Sequence, residues 1–344
     1  MERLPAEITS LLLAWFEKNR RDLPWRADRE PYHVWLSEIM LQQTRVEAVK
    51  GYYARFLREL PSIPALADCT PDRLNKLWEG LGYYTRVRNL QKAAQVIMTQ
   101  YGGVFPQTYA AIRALPGVGD YTAGAVGSIC FELPTPAVDG NVLRVLSRVM
   151  ADSAPVTKQA VRKEYAEKLA ECYPAGRCGD FTQALMELGA TVCGPNWAPD
   201  CENCPLAGIC RARMQGTQTQ FPVKEAKKPR RTEEKTVLIL RCKDRYAVRK
   251  REEKGLLAGL WELPNVEGTL DAAQALRAAE DFGVQPTELL KMVEKNHIFT
   301  HVEWKLRGYY LICGREAPGL EWVDQKRFQK DIALPTAFRQ FWEE

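Results

Sequence analysis

Four cysteines crowd one short stretch of the chain: Cys193, Cys201, Cys204 and Cys210, in the pattern C-x7-C-x2-C-x5-C. Four thiolates in one loop can supply an all-sulfur tetrahedral set, the ligand chemistry of zinc or of an iron–sulfur cluster. Zinc sites usually join two C-x2-C pairs, and here only Cys201 and Cys204 have that spacing. Unequal loops of seven, two and five residues suit the larger [4Fe–4S] group better. Its expected role is structural, because no neighbouring residue reads as an open coordination position. The other cysteines, Cys69, Cys130, Cys172, Cys178, Cys242 and Cys313, are scattered and read as small hydrophobes.

A second group is Leu115-Pro116-Gly117-Val118-Gly119, followed by Tyr121 and, 20 residues past Gly119, by Val138-Asp139-Gly140-Asn141-Val142. A G-x-G turn frees backbone N–H groups at a helix N-terminus, where they can bind phosphate. Asp139 can be read as a reactive carboxylate or as the cap of the helix that follows it. Glu38 can be read as a solvated acid on a helix flank. It can equally be a carboxyl lining a partly desolvated pocket, which would raise its pKa.

These residues need elements to hold them. Pro31, Tyr32, Trp35, Leu36, Ile39 and Met40 follow helical spacing, with Pro31 suited to the first turn. Further helices are predicted near 45–59, 71–80, 86–100, 107–114, 120–131, 140–150, 157–172 and 179–192, punctuated by Pro and Gly. Residues 216–234 are polar and basic, with Lys224, Lys227, Lys228, Arg230 and Arg231, and read as a linker able to track a phosphate backbone. Beyond them Val237-Leu238-Ile239-Leu240, a Lys243-Asp244 turn and Tyr246-Ala247-Val248 predict a hairpin. A helix over 271–282 and a strand over 302–312 complete an α+β domain.

The chain has 344 residues, enough for two domains, with 46% hydrophobic and 26% charged residues, the balance of a folded globular protein. No apolar run reaches the ~18 residues of a membrane span, so no membrane partner is expected. The patch Leu11-Leu12-Leu13-Ala14-Trp15-Phe16 is flanked by charges and lacks a cleavage site, so it reads as an amphipathic helix. The expected compartment is the cytoplasm. A net charge of +5 permits a nucleic-acid partner without requiring one.

Leu-Pro-Gly-Val-Gly, its following helix and Val138-Asp139 together resemble the helix–hairpin–helix DNA glycosylase superfamily. The four-cysteine loop is similar to that of its endonuclease-III-like, iron–sulfur branch. Arg21-Asp22-Leu23-Pro24-Trp25-Arg26, Ser37-Glu38-Ile39-Met40-Leu41-Gln42-Gln43-Thr44, Glu79-Gly80-Leu81-Gly82-Tyr83-Tyr84 and Glu187-Leu188-Gly189-Ala190 narrow the resemblance to the MutY-type adenine DNA glycosylases. It covers nearly the whole chain. It implies a multidomain fold: an all-α glycosylase domain over 1–215 with an iron–sulfur loop, then the linker and an α+β Nudix-like lesion-recognition domain over 235–344. Within the first domain it implies a six-helix module over about 27–132 and an iron–sulfur module from 1–26 and 133–215.

The implied activity is hydrolytic removal of adenine mispaired with 8-oxoguanine or guanine in duplex DNA, by a monomer carrying one [4Fe–4S] cluster on Cys193, Cys201, Cys204 and Cys210. Breaking an N-glycosidic bond needs an acid for the leaving base and a carboxylate for the oxocarbenium-like sugar. The resemblance assigns these roles to Glu38 and Asp139, with Asn141 orienting Asp139 or water. Tyr121 stands where bifunctional relatives have a Schiff-base lysine, which implies a glycosylase without efficient lyase activity. Its hydroxyl is placed to bridge the two carboxylates. Arg26 and Glu187 are implied to contact the flipped adenine, Leu23 and Trp25 to wall its pocket, and Gln43 and Tyr83 to enter the duplex. The hairpin Gly117, Val118 and Gly119 faces phosphate. Phe299, Thr300 and His301 resemble a Phe-Ser-His loop that reads 8-oxoguanine, with Thr in place of Ser.

The sequence departs from the family in a first cysteine gap of seven residues where six is usual, and in Asp120, an acid at the phosphate-facing helix start. Three rival readings are a lyase-active thymine-damage or mismatch glycosylase, a Nudix hydrolase and a non-enzymatic DNA-binding iron–sulfur protein. Tyr121 and the extra domain oppose the first. The second meets a Nudix box with half its acids missing, at Leu276-Arg277-Ala278-Ala279-Glu280-Asp281-Phe282-Gly283, so this domain is expected to bind rather than hydrolyse.

Overall fold

A computed structural model describes residues 3–195, 198–226 and 229–342. Its helices in the N-terminal part are α1 Ile8–Asn19, α2 Pro31–Leu41, α3 Val46–Glu59, α4 Ile63–Asp68, α5 Pro71–Trp78, α6 Thr85–Gln100, α7 Tyr109–Arg113, α8 Asp120–Phe131, α9 Gly140–Met150, α10 Gln159–Ala170, α11 Cys178–Thr191 and α12 Arg211–Met214. Proline opens α2 and α5, where a missing N–H costs nothing. Thr108 caps α7 by accepting from Ala111 N–H, and Asp139 caps α9 by accepting from Val142 N–H. Packing divides the chain into two compact units, Met1–Asp68 with Arg88–Ala226 and Cys69–Val87 with Lys227–Glu344.

In the first unit Ile8, Leu12 and Phe16 of α1, Val142, Leu146 and Val149 of α9, and Phe181, Leu185 and Leu188 of α11 share one core. Helix α8 is the central rod. Thr122 to Ile129 are all buried, because Ala, Gly and Ser let α2, α7 and α11 pack on it closely. Such a helix has no polar face from which to read a period.

The second unit has strands β1 Arg231–Cys242, β2 Arg245–Lys250, β3 Trp261–Glu262, β4 Asn265–Glu267, β5 Pro286–Ile298, β6 Val302–Cys313 and β7 Glu321–Asp324. With them come α13 Ala272–Asp281, α14 Gln325–Asp331 and α15 Thr336–Arg339. The sheet order is β3-β2-β1-β6-β5, with β4 on β1 and β7 on β2; β1 and β6 are parallel and the other pairings antiparallel. Successive residues of β1 serve opposite faces: Val237 and Ile239 join a core with Phe328, Phe338 and Phe341, while Leu238 and Leu240 join one with Ala275 and Ala279 of α13. That two-sided burial explains its unbroken apolar run.

Two boundaries differ from expectation. Residues 216–234 are not wholly linker: Gln218–Gln220 form a 3-10 turn, Phe221 O accepts from Arg148 Nε at 3.1 Å, and Val223 O accepts from Val156 N at 3.0 Å. The buried Arg148 guanidinium needs the Phe221 carbonyl, and together with the Val156–Val223 backbone bond it straps the segment to the helices. At the other end β1 already begins at Arg231. Lys227 and Lys228 lie outside the described residues. The second difference is the segment 69–87, which packs with the C-terminal domain although it lies inside the expected helical one. Lys76 Nζ donates to Ile332 O (2.9 Å), Leu334 N donates to Glu79 Oε1 (2.9 Å), and Lys250 pairs with Asp72 (2.9 Å).

Candidate active site

A cavity of about 680 Å³ opens in the first unit between α2, the 23–26 segment, the α7–α8 hairpin, the start of α9 and α11. It gathers Leu23, Trp25, Arg26, Glu38, Gln43, Gly117, Gly119, Tyr121, Asp139, Asn141 and Glu187 from among the residues singled out in the sequence. Val118 is buried beneath the hairpin and does not line it. Gly117 turns the hairpin with φ of 74°, a conformation that favours glycine. Asp120 pairs with Arg113 at 2.5 Å on the surface, so its charge is offset locally.

Glu38 is 6% exposed on α2. The Tyr121 hydroxyl donates to its Oε2 at 2.5 Å and lies 3.9 Å from Met186 Sδ. The hydroxyl makes no hydrogen bond to Asp139, so it does not bridge the two carboxylates as expected. Burial pushes the Glu38 carboxyl up to about 7, the nearby Asp139 charge adds to this, and Tyr121 and Arg26 oppose it. Burial likewise drives the Tyr121 phenol well above its ordinary value. Asp139 is the cap of α9 and also lines the cavity. Its Oδ1 caps α9 by accepting from Val142 N at 2.8 Å, and its Oδ2 accepts from Asn141 Nδ2 at 2.8 Å beside the cavity. Burial raises this carboxyl above its ordinary value against the pull of those amide donors.

Arg144 locks Asn141. Its Nη2 donates to Asn141 Oδ1 (2.8 Å) and Gly189 O (2.6 Å), and its Nε donates to Cys193 O (2.7 Å). Gly189 lies so close that a Cβ there would stand 2.5 Å from Asn141 Cβ. Glu187, 1% exposed, is held by Arg21 through Nε (2.7 Å), Nη2 (3.0 Å) and the backbone N–H (3.0 Å), and by Arg26 Nη2 (2.8 Å). Burial would raise its pKa, but the two arginines prevail and hold it below the ordinary glutamate value. Trp25 is fixed edge-on against Tyr53 with ring centroids 5.6 Å apart.

Sequence reasoning gave no role to Arg21, Gln42, Arg144, Gln183 or Met186. Arg21 opens the motif that contains Trp25 and Arg26. Gln183 and Met186 precede Glu187 by four and one residues on α11, so helical spacing from Glu187 could have found Gln183. Arg144 stands one turn beyond Asn141 on α9, but its other partners, Gly189 O and Cys193 O, come from α11 and the cysteine loop and had no local signal.

The four cysteines ring one small cavity with Arg148 and Arg213. Arg148 Nη1 lies 3.1 Å from Cys193 Sγ and donates to Gly194 O at 3.1 Å. Among the described residues no three His, Cys, Asp or Glu side chains are grouped to hold a single ion. One zinc needs its sulfurs around one point at ~2.3 Å, whereas a cube offers each thiolate its own corner. Four thiols faced by two guanidiniums are a donor set that fits a cluster whose ligands bring negative charge.

In the second unit Phe299 N donates to Val302 O at 2.8 Å and closes a turn between β5 and β6. Phe299 packs on His297 and Trp304 at centroid distances of 4.5 and 4.8 Å, so it is a packed aromatic and not a free wedge. His301 is exposed, and its carbonyl accepts from Arg231 N at 3.0 Å. Thr300 Oγ1 lies 3.1 Å from the hydroxyl of Tyr83, itself 49% exposed. Tyr83 has φ of 48° and Gln43 φ of 58°. Both residues read as entering the duplex thus sit in a left-handed backbone that costs non-glycine residues energy. Glu262 is enclosed by Arg249 (2.7 Å) and Arg251.

The fold and this pocket define a helix–hairpin–helix base-excision protein: residues 36–171 match the HhH-GPD superfamily of base excision DNA repair proteins, and residues 236–344 match the NUDIX domain. The chain is 34% identical over 404 residues to the adenine DNA glycosylase of Homo sapiens, covering 97% of this chain and 74% of that one. It is 33% identical to that of Rattus norvegicus, covering 97% and 78%. It therefore belongs to the adenine DNA glycosylase family, enzymes that hydrolyse N-glycosyl bonds. A solved thermostable thymine-DNA glycosylase is 31% identical with a TM-score of 0.56, covering 60% of this chain and 95% of that one. A non-covalent endonuclease III–DNA complex, 22% identical with a TM-score of 0.51 and covering 61% and 95%, shares the fold. Among the described residues no helix is long and apolar enough to cross a membrane.

Proposed function

We propose that the chain removes adenine opposite 8-oxoguanine or guanine from duplex DNA by hydrolysis, leaving an abasic site in an intact strand. The observation that carries this is the Tyr121–Glu38 pair beside Asp139 in a cavity large enough for a nucleoside. Burial pushes the Glu38 carboxyl up to about 7, so a substantial fraction stays protonated at neutral pH and can deliver its proton to the leaving adenine. Asp139 supplies the negative charge that stabilises the cationic sugar, and Asn141, fixed by Arg144, holds the Asp139 oxygen in place. Arg26 and Glu187 face the flipped base with Leu23 and Trp25 as walls. Gly117 and Gly119 turn N–H groups toward a backbone phosphate, Val118 holds the hairpin by donating its N–H to Leu115 O at 3.1 Å, and Gln43 and Tyr83 enter the stack.

A Schiff base needs an amine, and among the described residues no lysine lines the cavity. That supports a glycosylase without efficient lyase activity. Cys193, Cys201, Cys204 and Cys210 hold one [4Fe–4S] cluster, which when bound organises their loop; no step of the reaction passes through it. In the second unit Thr300, with Tyr83 on its hydroxyl, and His301 read the lesion strand, where a Thr hydroxyl can bond the altered N7–H edge as Ser would. The test is a duplex with one A:8-oxoguanine pair incubated with excess protein, then resolved with and without alkali. Strand scission only after alkali is the expected result. Scission without alkali, or none with it, refutes the reading.

A further inference from the structure

The catalytic cavity has a neighbour. A second cavity of about 260 Å³ adjoins it, and Arg21, Trp25, Arg26, Ile129 and Gln183 line both. Its own walls carry Phe16 at the base and Arg20, Asp22, Asp28, Arg29 and Asp180 around it. Glu187 lines only the first cavity, while Arg21 and Arg26, the two arginines that hold its carboxylate, line both.

We infer that this second cavity is the exit for the excised base, with Arg21 as its gate. The inference rests on the proposed adenine excision. A base that enters while attached to its strand enters through the mouth that the strand then occupies. After hydrolysis the abasic strand still fills that mouth, so the freed base either waits for the duplex to leave or departs elsewhere. The second cavity offers the other way. Edges of the buried Trp25 and Phe16 rings form its apolar part, with the Arg26 guanidinium 5.5 Å from the Phe16 ring centroid, and the surrounding charged groups can satisfy the polar edge of a base.

Arg21 suits the gate for a specific reason. Its side chain is 37% exposed, against 14% for Arg26 and 1% for Glu187. If it swings outward, Glu187 keeps Arg26 Nη2 at 2.8 Å and the Arg21 backbone N–H at 3.0 Å. The buried carboxylate is therefore never left unpaired, the condition that would make such a motion costly. Arg26 cannot play this part as well, because its own Nη1 is tied to Arg21 O at 3.1 Å.

The experiment is a single turnover with enzyme in excess over an A:8-oxoguanine duplex labelled in the adenine, filtered rapidly so that protein-bound DNA is retained. Wild type should pass free adenine into the filtrate while the abasic duplex stays bound. Asp22→Trp and Arg20→Trp, each filling the second cavity from outside the catalytic pocket, should cleave at the wild-type rate. Both should hold the base at least tenfold longer. Adenine leaving the wild type only with the duplex overturns the exit, as does release from both variants as fast as from wild type. Cleavage is counted in the same samples: an absence of any cleavage by the wild type sinks the glycosylase reading itself. A variant that does not cleave is replaced by the other, and the wild-type filtrate alone can still overturn the proposal.

Discussion

At the scale of single residues the site rests on two carboxylates in different settings. Glu38 is raised to about 7 chiefly by burial; with Glu38 as the proposed proton carrier, the rate of base release should fall about tenfold per pH unit above that value. Below it the rate should hold until Asp139 takes up a proton, at a pH above the ordinary aspartate value because burial raises that group too. A single-turnover pH profile with its alkaline limb near 7, abolished in Glu38→Gln, is the expected result. Asp139→Asn keeps an N-cap acceptor for Val142 and so should fold and bind DNA. Removing the charge should cost roughly 3 kcal/mol or more, at least ~100-fold in base release. Near-normal single-turnover rates would remove Asp139 from the mechanism. Tyr121→Lys should gain borohydride-trapped adduct that the wild type lacks, since it alone puts an amine into the cavity. Glu38, Tyr121 and Asp139 were legible in the sequence because their motifs are local. That Tyr121 grips Glu38 alone was not, since a rotamer is decided by packing.

Elements were legible where their period or their punctuation was local. The helices flanking the hairpin, the capped start of α9 and the β1–β2 hairpin fall close to the expected residues. β5 was missed because it is a sheet edge with Leu289, Leu290 and Met292 exposed, so its sequence shows no alternation to read. The junction of α9 with α11 was also illegible, though it decides the geometry of the site. Gly189 sits against Asn141 and leaves no room for a methyl: a Cβ would also lie 3.0 Å from Asn141 Cα. Gly189→Ala must therefore shift α9 or α11. The expected result is a fold weakened by about 1–3 kcal/mol and base release slowed by roughly 100-fold, with DNA binding kept. Thermal unfolding and single-turnover rates measured together would check it; unchanged catalysis would mean that Asn141 does not need its present place.

At the scale of the molecule, the sequence order misleads about which segments belong together. Residues 69–87 lie inside the helical sequence yet pack with the C-terminal domain, because Lys76, Glu79 and Asp72 find partners more than 170 residues away. No local pattern carries that information. It also bears on how lesion reading is tested. Deleting residues 235–344 removes Ile332, Leu334 and Lys250, the partners of that segment, so a truncated protein would lose the support of the Tyr83 turn as well as the Thr300 hydroxyl. A point change separates the two. Thr300→Val keeps the branched shape and removes only the hydroxyl that meets Tyr83 at 3.1 Å. If that hydroxyl also bonds the lesion, one hydrogen bond of ~1–1.5 kcal/mol is lost, and the preference for A:8-oxoguanine over A:G should narrow about tenfold. The A:G rate should stay as it was, and Thr300→Ser should restore the preference. Tyr83→Phe distinguishes support from readout: it removes the phenol and leaves Thr300, so a fall in preference there would place the recognition in the pair and not in Thr300 alone. Single-turnover rates on both duplexes decide the matter, and an unchanged ratio in Thr300→Val would exclude the hydroxyl from lesion readout.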